Sequence, residues 1–182
     1  MPTNVDLVKK VCLIGDPGVG KTSLIRRFVL DEFSDDYLST IGAKVTKKEK
    51  LIDVKQEDLL VRLTLMIWDV AGKKEYQQFH EMYLKGMEGV LAVADLSRRN
   101  TFERLQNALM LVEKHAGDIP VVFLLNKADL VDPEKVDLRQ VNALAAQKSI
   151  PVLPTSAKTG HNVEPAFSKL SMMIIRDWLA SR

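Results

Sequence analysis

Apolar positions recur along this chain in two rhythms, and their order predicts the architecture. Val8 to Ile14 is a nearly unbroken apolar run, as a buried strand requires. Leu24, Ile25, Phe28 and Val29 then fall on one side of a helix. Asp31 to Gly42 is polar, acidic and aperiodic, which predicts a loop. Ala43 to Val54 is β-branched but carries Lys47, Lys48 and Lys50, with Lys55 just beyond. Leu59 to Trp68 alternates cleanly, with Leu59, Val61, Leu63, Leu65 and Ile67 on one face. Together they predict an antiparallel hairpin turning near Gln56-Glu57-Asp58. The lysines suit a solvated, aggregation-resistant edge, or a patch facing a partner or phospholipid.

Beyond the hairpin, Lys73 to Gly86 reads as a polar loop running into a short helix. Gly89 to Asp95 and Pro120 to Leu125 are apolar enough to be buried on both faces. Between them Phe102, Leu105, Leu109 and Val112 repeat at helical spacing, with Asn100 or Thr101 available as a cap. Val136 to Lys148 predicts a helix and Pro151 to Leu153 a short strand. Val163, Phe167, Leu170, Ile174 and Trp178 form the apolar stripe of a last helix, read as core. Strands alternating with helices predict an α/β fold. The expected architecture is one domain over residues 1–182, with a six-stranded, mainly parallel sheet, one antiparallel edge strand and helices on both faces.

Composition changes little in this picture. The 182 residues are 46% hydrophobic and 27% charged, ordinary for one globular domain. A net charge of +2 gives no electrostatic case for binding nucleic acid or a membrane surface. Cys12, the only cysteine, lies in the first strand and reads as a small buried hydrophobe. It fits a reducing compartment, so a cytoplasmic location is expected, with membranes reached only peripherally through partners. Pro2, and a C-terminal stretch Trp178 to Arg182 without cysteine, lead to the expectation that this chain carries no covalent lipid anchor.

The chemistry collects at predicted strand ends, where ligands gather in such sheets. Gly15-Asp16-Pro17-Gly18-Val19-Gly20-Lys21-Thr22, with Ser23 next, reads G-x-x-x-x-G-K-T between a strand and a helix. Its glycines let backbone N–H groups converge on phosphate oxygens at a helix N-terminus. Lys21 adds a point charge for the outer phosphates, and the Thr22 hydroxyl is placed to ligate Mg²⁺. This loop alone permits an ATPase, a kinase or a GTPase. Asp69-Val70-Ala71-Gly72 adds an acid for the Mg²⁺ shell and a glycine whose N–H can approach a γ-phosphate. In Asn126-Lys127-Ala128-Asp129-Leu130, the Asp129 carboxylate can accept from the N1–H and 2-amino group of guanine. Adenine offers neither donor, leaving the acid desolvated and unpaired. Ser156-Ala157-Lys158 follows one helix and one strand later, where a backbone N–H can meet the guanine O6.

With these residues in view the chain resembles a small GTPase of the Ras superfamily, with a P-loop NTPase fold. Trp68 and Ser39-Thr40-Ile41-Gly42 make it most similar to the Rab branch, and Asp95-Leu96-Ser97 with Thr101-Phe102 resembles the family's fourth-strand signature. The resemblance implies that Thr40 completes the Mg²⁺ shell, Tyr37 covers the phosphates and Phe33 packs on the guanine ring. It implies that Asp129 selects the base while Asn126 and Lys127 frame its pocket. It further implies a monomeric switch that binds GTP or GDP with Mg²⁺. Such a switch meets an exchange factor, a GTPase-activating protein (GAP) and effectors through residues 32–42 and 70–86.

Three departures stand out. Lys73 occupies the position where the family has a water-orienting glutamine. Lysine has donors but no acceptor, so it cannot orient water as glutamine does, although it can stabilise charge on a transferring phosphoryl group or be silent. Slow hydrolysis without a GAP is therefore expected, with Lys21, Thr40, Gly72 and Lys73 as the candidate catalytic set. A GTP-binding sensor or scaffold with vestigial hydrolysis is the alternative. Pro17 removes one loop N–H while presetting the turn, and the hairpin between Thr40 and Asp69 is several residues longer than the family's.

Overall fold

The computed structural model describes residues 2–34, 41–71 and 82–182. The strands are β1 (Thr3–Gly15), β2 (Ala43–Val54), β3 (Leu59–Val70), β4 (Gly89–Asp95), β5 (Val121–Asn126) and β6 (Val152–Pro154). They form one sheet in the order β2-β3-β1-β4-β5-β6. Only β2 runs antiparallel, against β3 at the edge. The long helices among the described residues are α1 (Lys21–Leu30), α2 (Glu103–Ala116), α3 (Arg139–Gln147) and α4 (Val163–Ala180). The expected α/β architecture, antiparallel edge included, is the one observed.

Both faces of the sheet are covered because alternate strand residues feed two separate apolar layers. On one side Val11, Leu13, Leu63, Leu65 and Ile67 meet Leu24 and Phe28 of α1 and Phe167, Leu170 and Ile174 of α4. The Phe28 and Phe167 rings stack with centroids 3.9 Å apart and planes 2° from parallel, joining the two helices. On the other side Cys12, Val90, Ala92, Phe123 and Leu125 meet Leu105, Leu109 and Val112 of α2 and Val141 of α3. β4 and β5 are buried at every position, as their unbroken apolar runs predict. Burial pushes the Cys12 thiol up to about 12, so it stays protonated among the apolar side chains.

Differences from the sequence reading have local causes. β1 starts at Thr3 rather than Val8, because Thr3 to Lys10 pair in parallel with Leu59 to Met66 of the lengthened hairpin. Its polar residues Asn4 and Asp6 point to solvent while Val5 and Leu7 pack against the core. The hairpin turns on a 3₁₀ turn at Lys55–Glu57, and Asp58 at φ 51° closes it. Thr101 does not cap α2: the helix follows a 3₁₀ turn, and the buried Thr101 hydroxyl accepts from the Asp95 N–H at 2.9 Å. The lysines of β2 divide by position as well as face: Lys48 and Lys50 share the α1–α4 side, Lys44 has the same parity but lies beyond the helices' cover, and Lys47 is on the opposite face. Lys50 reaches Ser168 at 2.7 Å and pairs with Glu164 on α4, and Lys48 donates to the Val29 carbonyl at 3.4 Å. Lys44 and Lys47 are exposed. The sheet register brings Gly15, Asp69, Asp95 and Asn126 to the same end of adjacent strands.

Candidate functional site

The loop from Gly15 to Gly20 leaves β1 and opens α1, and its backbone explains its glycines. Gly15 (φ 150°), Gly18 (φ 74°) and Gly20 (φ 102°) all lie at positive φ. A Cβ on Gly15 would lie 2.2 Å from the Val93 carbonyl oxygen, and one on Gly20 would lie 2.3 Å from Asn126 Nδ2. Strand β4 and the Asn126 side chain therefore press directly on the loop, and only glycine fits there.

Lys21 lies at the first turn of α1, where N–H groups are unpaired by the helix itself. Its ammonium donates to the Gly15 carbonyl at 2.8 Å and the Asp16 carbonyl at 3.0 Å. Burial pushes its pKa down to about 8, partly offset by the carboxylates of Asp69 and Asp16. An anion set in this loop gains a charged, desolvated donor as well as the N-terminus of α1. Thr22 Oγ1 hydrogen-bonds Oδ2 of Asp69, a residue one position before the end of β3 and 3% exposed. A hydroxyl and a carboxylate side by side are hard oxygen donors of the kind that suit Mg²⁺, whose other ligands can come from phosphate and water. The donor set fits that ion.

Asn126 at the end of β5 joins this loop to two others. Its Nδ2 donates to the Val19 carbonyl at 2.9 Å, and its Oδ1 accepts from Thr155 Oγ1 and the Ala157 N–H, each at 3.2 Å. The loop amide of Ala157 is thus turned toward Asn126. Asp129, exposed on the next turn, accepts from Ser156 Oγ at 2.6 Å, which orients its carboxylate. Ser156 Oγ accepts in turn from the Thr159 N–H at 3.1 Å. Lys127 adopts φ 65° and directs its ammonium to Asp95, 2.8 Å away. Leu130 is 60% exposed beside this cluster. Phe33, at the start of the acidic loop, is half-buried against the α1–α4 side of the core. Val19 is fully buried under the loop, and Ser23 is half-buried on α1. Tyr37, Thr40, Gly72 and Lys73, with Gln77, Gln78 and His80, lie outside the described residues.

Three arginines that the sequence reading passed over hold this constellation from outside. Arg27 of α1 donates to the Ala157 carbonyl at 2.8 Å and the Lys158 carbonyl at 2.6 Å. Arg98 binds Asp95 at 2.8 Å and the Pro17 carbonyl at 3.1 Å. Arg104, in the first turn of α2, pairs with Asp16 at 3.1 Å. An arginine at helical spacing reads as a solvated face, so periodicity carried no signal for these contacts.

The model of the Ras family matches residues 10–176. Over 171 residues the chain is 36% identical to "Ras-related protein Rab-13" of Canis lupus familiaris, covering 93% of this chain and 81% of that protein. It is 34% identical to "Ras-related protein SEC4" of Candida albicans (strain WO-1) over 170 residues, 93% of this chain and 78% of the relative. It is 35% identical to "Ras-related protein Rab-8B" of Homo sapiens over 176 residues, 96% and 82% of the two chains.

Proposed function

The chain belongs to the Ras family, and from that premise we propose how its own residues carry the family's GTP-dependent switch. It is a Rab-like small GTPase that binds GTP or GDP with Mg²⁺ and hydrolyses GTP. No helix among the described residues is long and apolar enough to cross a membrane.

The observation that carries the assignment of residues is the bond from Asn126 to the Val19 carbonyl, which joins the phosphate loop to the Asp129 and Ser156 loops. In this reading Asp16 to Ser23 wrap the phosphates, and Lys21 supplies the charge against the β- and γ-phosphates. Asp129, oriented by Ser156, accepts from the two guanine donors, while Asn126, Lys127, Leu130, Ala157 and Lys158 shape the base pocket. In the same reading Phe33 flanks the ring and Tyr37 covers the phosphates. Thr22, Thr40 and Asp69 would hold Mg²⁺, which would supply positive charge against the phosphates. Gly72 offers its N–H to the γ-phosphate, so residues 32–42 and 70–86 order when GTP is bound and release when it is hydrolysed. Those segments are the proposed surface for exchange factor, GAP and effectors, and the switch acts as a monomer.

Lys73 makes the hydrolysis step slow. Its ammonium cannot accept a hydrogen bond from the attacking water, so intrinsic turnover waits on a partner that supplies an arginine, a glutamine or both. The experiment is nucleotide extraction from the purified protein, followed by single-turnover GTP hydrolysis by wild type and Lys73→Gln. A faster variant supports the reading, and equal rates overturn Lys73 as the limiting residue. Bound GTP with no turnover over days in either protein would instead establish the sensor reading that Lys73 also favours.

A further inference from the structure

Among the polar contacts outside the nucleotide-facing groups, one chain of charges runs from the base loop to the phosphate loop. Its centre is Asp95, whose side chain is 1% exposed at the end of β4. One of its oxygens takes both the Lys127 ammonium and the Arg98 Nε, each at 2.8 Å. The other accepts from the Ser97 hydroxyl at 2.6 Å and the Ser97 N–H at 3.0 Å. Arg98 is itself fixed at its backbone, because the Thr101 hydroxyl donates to its carbonyl at 2.7 Å. With Nε committed to Asp95, the guanidinium extends a second nitrogen to the Pro17 carbonyl at 3.1 Å. Proline at position 17 offers no N–H, so this carbonyl is that residue's one backbone hydrogen-bonding group. Arg104 grips the preceding residue, Asp16, at 3.1 Å from the first turn of α2. Asp16 and Pro17 of the loop are therefore both held by cations of the segment that follows β4.

We infer that Arg98 is a positioning residue that clamps the phosphate loop to Asp95 and so sets how long a guanine nucleotide stays bound, with Arg104 as its second arm. The inference rests on the nucleotide site proposed above. Arg98 uses two separate nitrogens of one rigid plane, Nε for Asp95 and a terminal nitrogen for Pro17, and a lysine, whose donors all sit on a single nitrogen, does not reproduce that fork. Asp95 keeps Lys127 and Ser97 when Arg98 is removed, so the base loop retains its anchor. The clamp thus acts on the phosphates and leaves base selection alone.

The test is release of fluorescent GDP from the full chain, measured by stopped flow with excess unlabelled GDP. Release of inosine diphosphate, which keeps the phosphates but lacks the 2-amino group, is measured beside it. Arg98→Ala is expected to speed GDP release about tenfold, the loss of one charge-assisted hydrogen bond, with the ratio of the two release rates unchanged. Arg98→Lys should behave like the alanine variant, and Arg104→Ala should give a smaller acceleration without touching Asp95. Unchanged release in Arg98→Ala, full rescue by lysine, or a collapse of the GDP-to-inosine-diphosphate ratio would each overturn the clamp while leaving the nucleotide site in place. Failure of the wild type to bind GDP at all would overturn both.

Discussion

The Asn126 side chain and the Val19 carbonyl are 2.9 Å apart, and this one bond staples the end of β5 to the loop that opens α1. Asn126→Ala strands three partners, the Val19 carbonyl, the Thr155 hydroxyl and the Ala157 N–H, in a site where all four residues are buried. The expected cost is about 3 kcal/mol of stability, read by urea unfolding with excess GDP absent. GDP affinity should fall with it, in a titration of the same protein.

Gly20→Ala attacks the same staple from the other side. The new Cβ would overlap Asn126 Nδ2 at 2.3 Å, on a residue already at φ 102°. Strain and displacement of the amide together should cost about 3 kcal/mol or more and abolish measurable GDP binding. Binding at wild-type strength would show that the loop relaxes away from Asn126.

Asp129→Asn replaces a double acceptor by a group with one acceptor and one donor. That pattern mismatches guanine and matches xanthine, whose 2-oxo group needs a donor. Affinity should fall about a hundredfold for GDP and rise for xanthosine diphosphate, read by competition titration. Ser156→Ala removes the 2.6 Å bond that orients the carboxylate and should weaken GDP about fivefold without reversing the preference.

Acid sensitivity should trace to Asp95. Burial raises its pKa, but hydrogen bonds from Lys127, Ser97 and Arg98 outweigh that and hold it below the usual carboxylate range. The unfolded chain then binds the proton more readily than the folded one, so the stabilisation is present above the unfolded value of about 3.9 and lost as pH falls through the folded value. Thermal unfolding from pH 7 to pH 3 should show a Tm falling steeply below about pH 4 in wild type, and a shallower fall in Asp95→Asn. At pH 7 the variant should be less stable by about 2 kcal/mol.

Phe167→Ala tests the join between α1 and α4. It removes a fully buried ring stacked on Phe28 at 3.9 Å, and should cost about 4 kcal/mol in chemical denaturation. Because Phe28 lies on the helix opened by Lys21, nucleotide release should quicken as well.

Much of this was legible from residue order, and the exceptions share a cause. Gly89–Asp95 is recovered to the residue because a strand buried on both faces must be apolar throughout. Gly15 to Thr22 and Asn126 to Asp129 stood out as candidate segments because each pattern lies in adjacent residues, but the Asn126 bond to Val19 that joins them, 107 residues apart, left no mark in the sequence. The long β1 was hidden because Asn4 and Asp6 break the apolar run, and pairing with a distant strand leaves no mark on the sequence itself. Arg27, Arg98 and Arg104 were hidden for the related reason that a side chain reaching a carbonyl elsewhere looks, in sequence, like any surface cation. Thr101 was legible as a polar residue before a helix, but its hydroxyl serves Asp95 instead.

The first strand also fixes an order of events. Thr3 to Lys10 pair with β3 alone, since β4 meets β1 only from Val11 onward. During synthesis this segment emerges before its partner exists, while β2 and β3 are neighbours in sequence that close on a three-residue turn. The hairpin is therefore expected to form as a local unit, with the N-terminal strand added after a long loop has closed at the entropic cost such closures carry, an order that refolding rates of variants in the turn and in residues 3–10 would check. Folding speed should answer to the hairpin turn far more than to residues 3–10, whose pairing holds the finished sheet together without starting it.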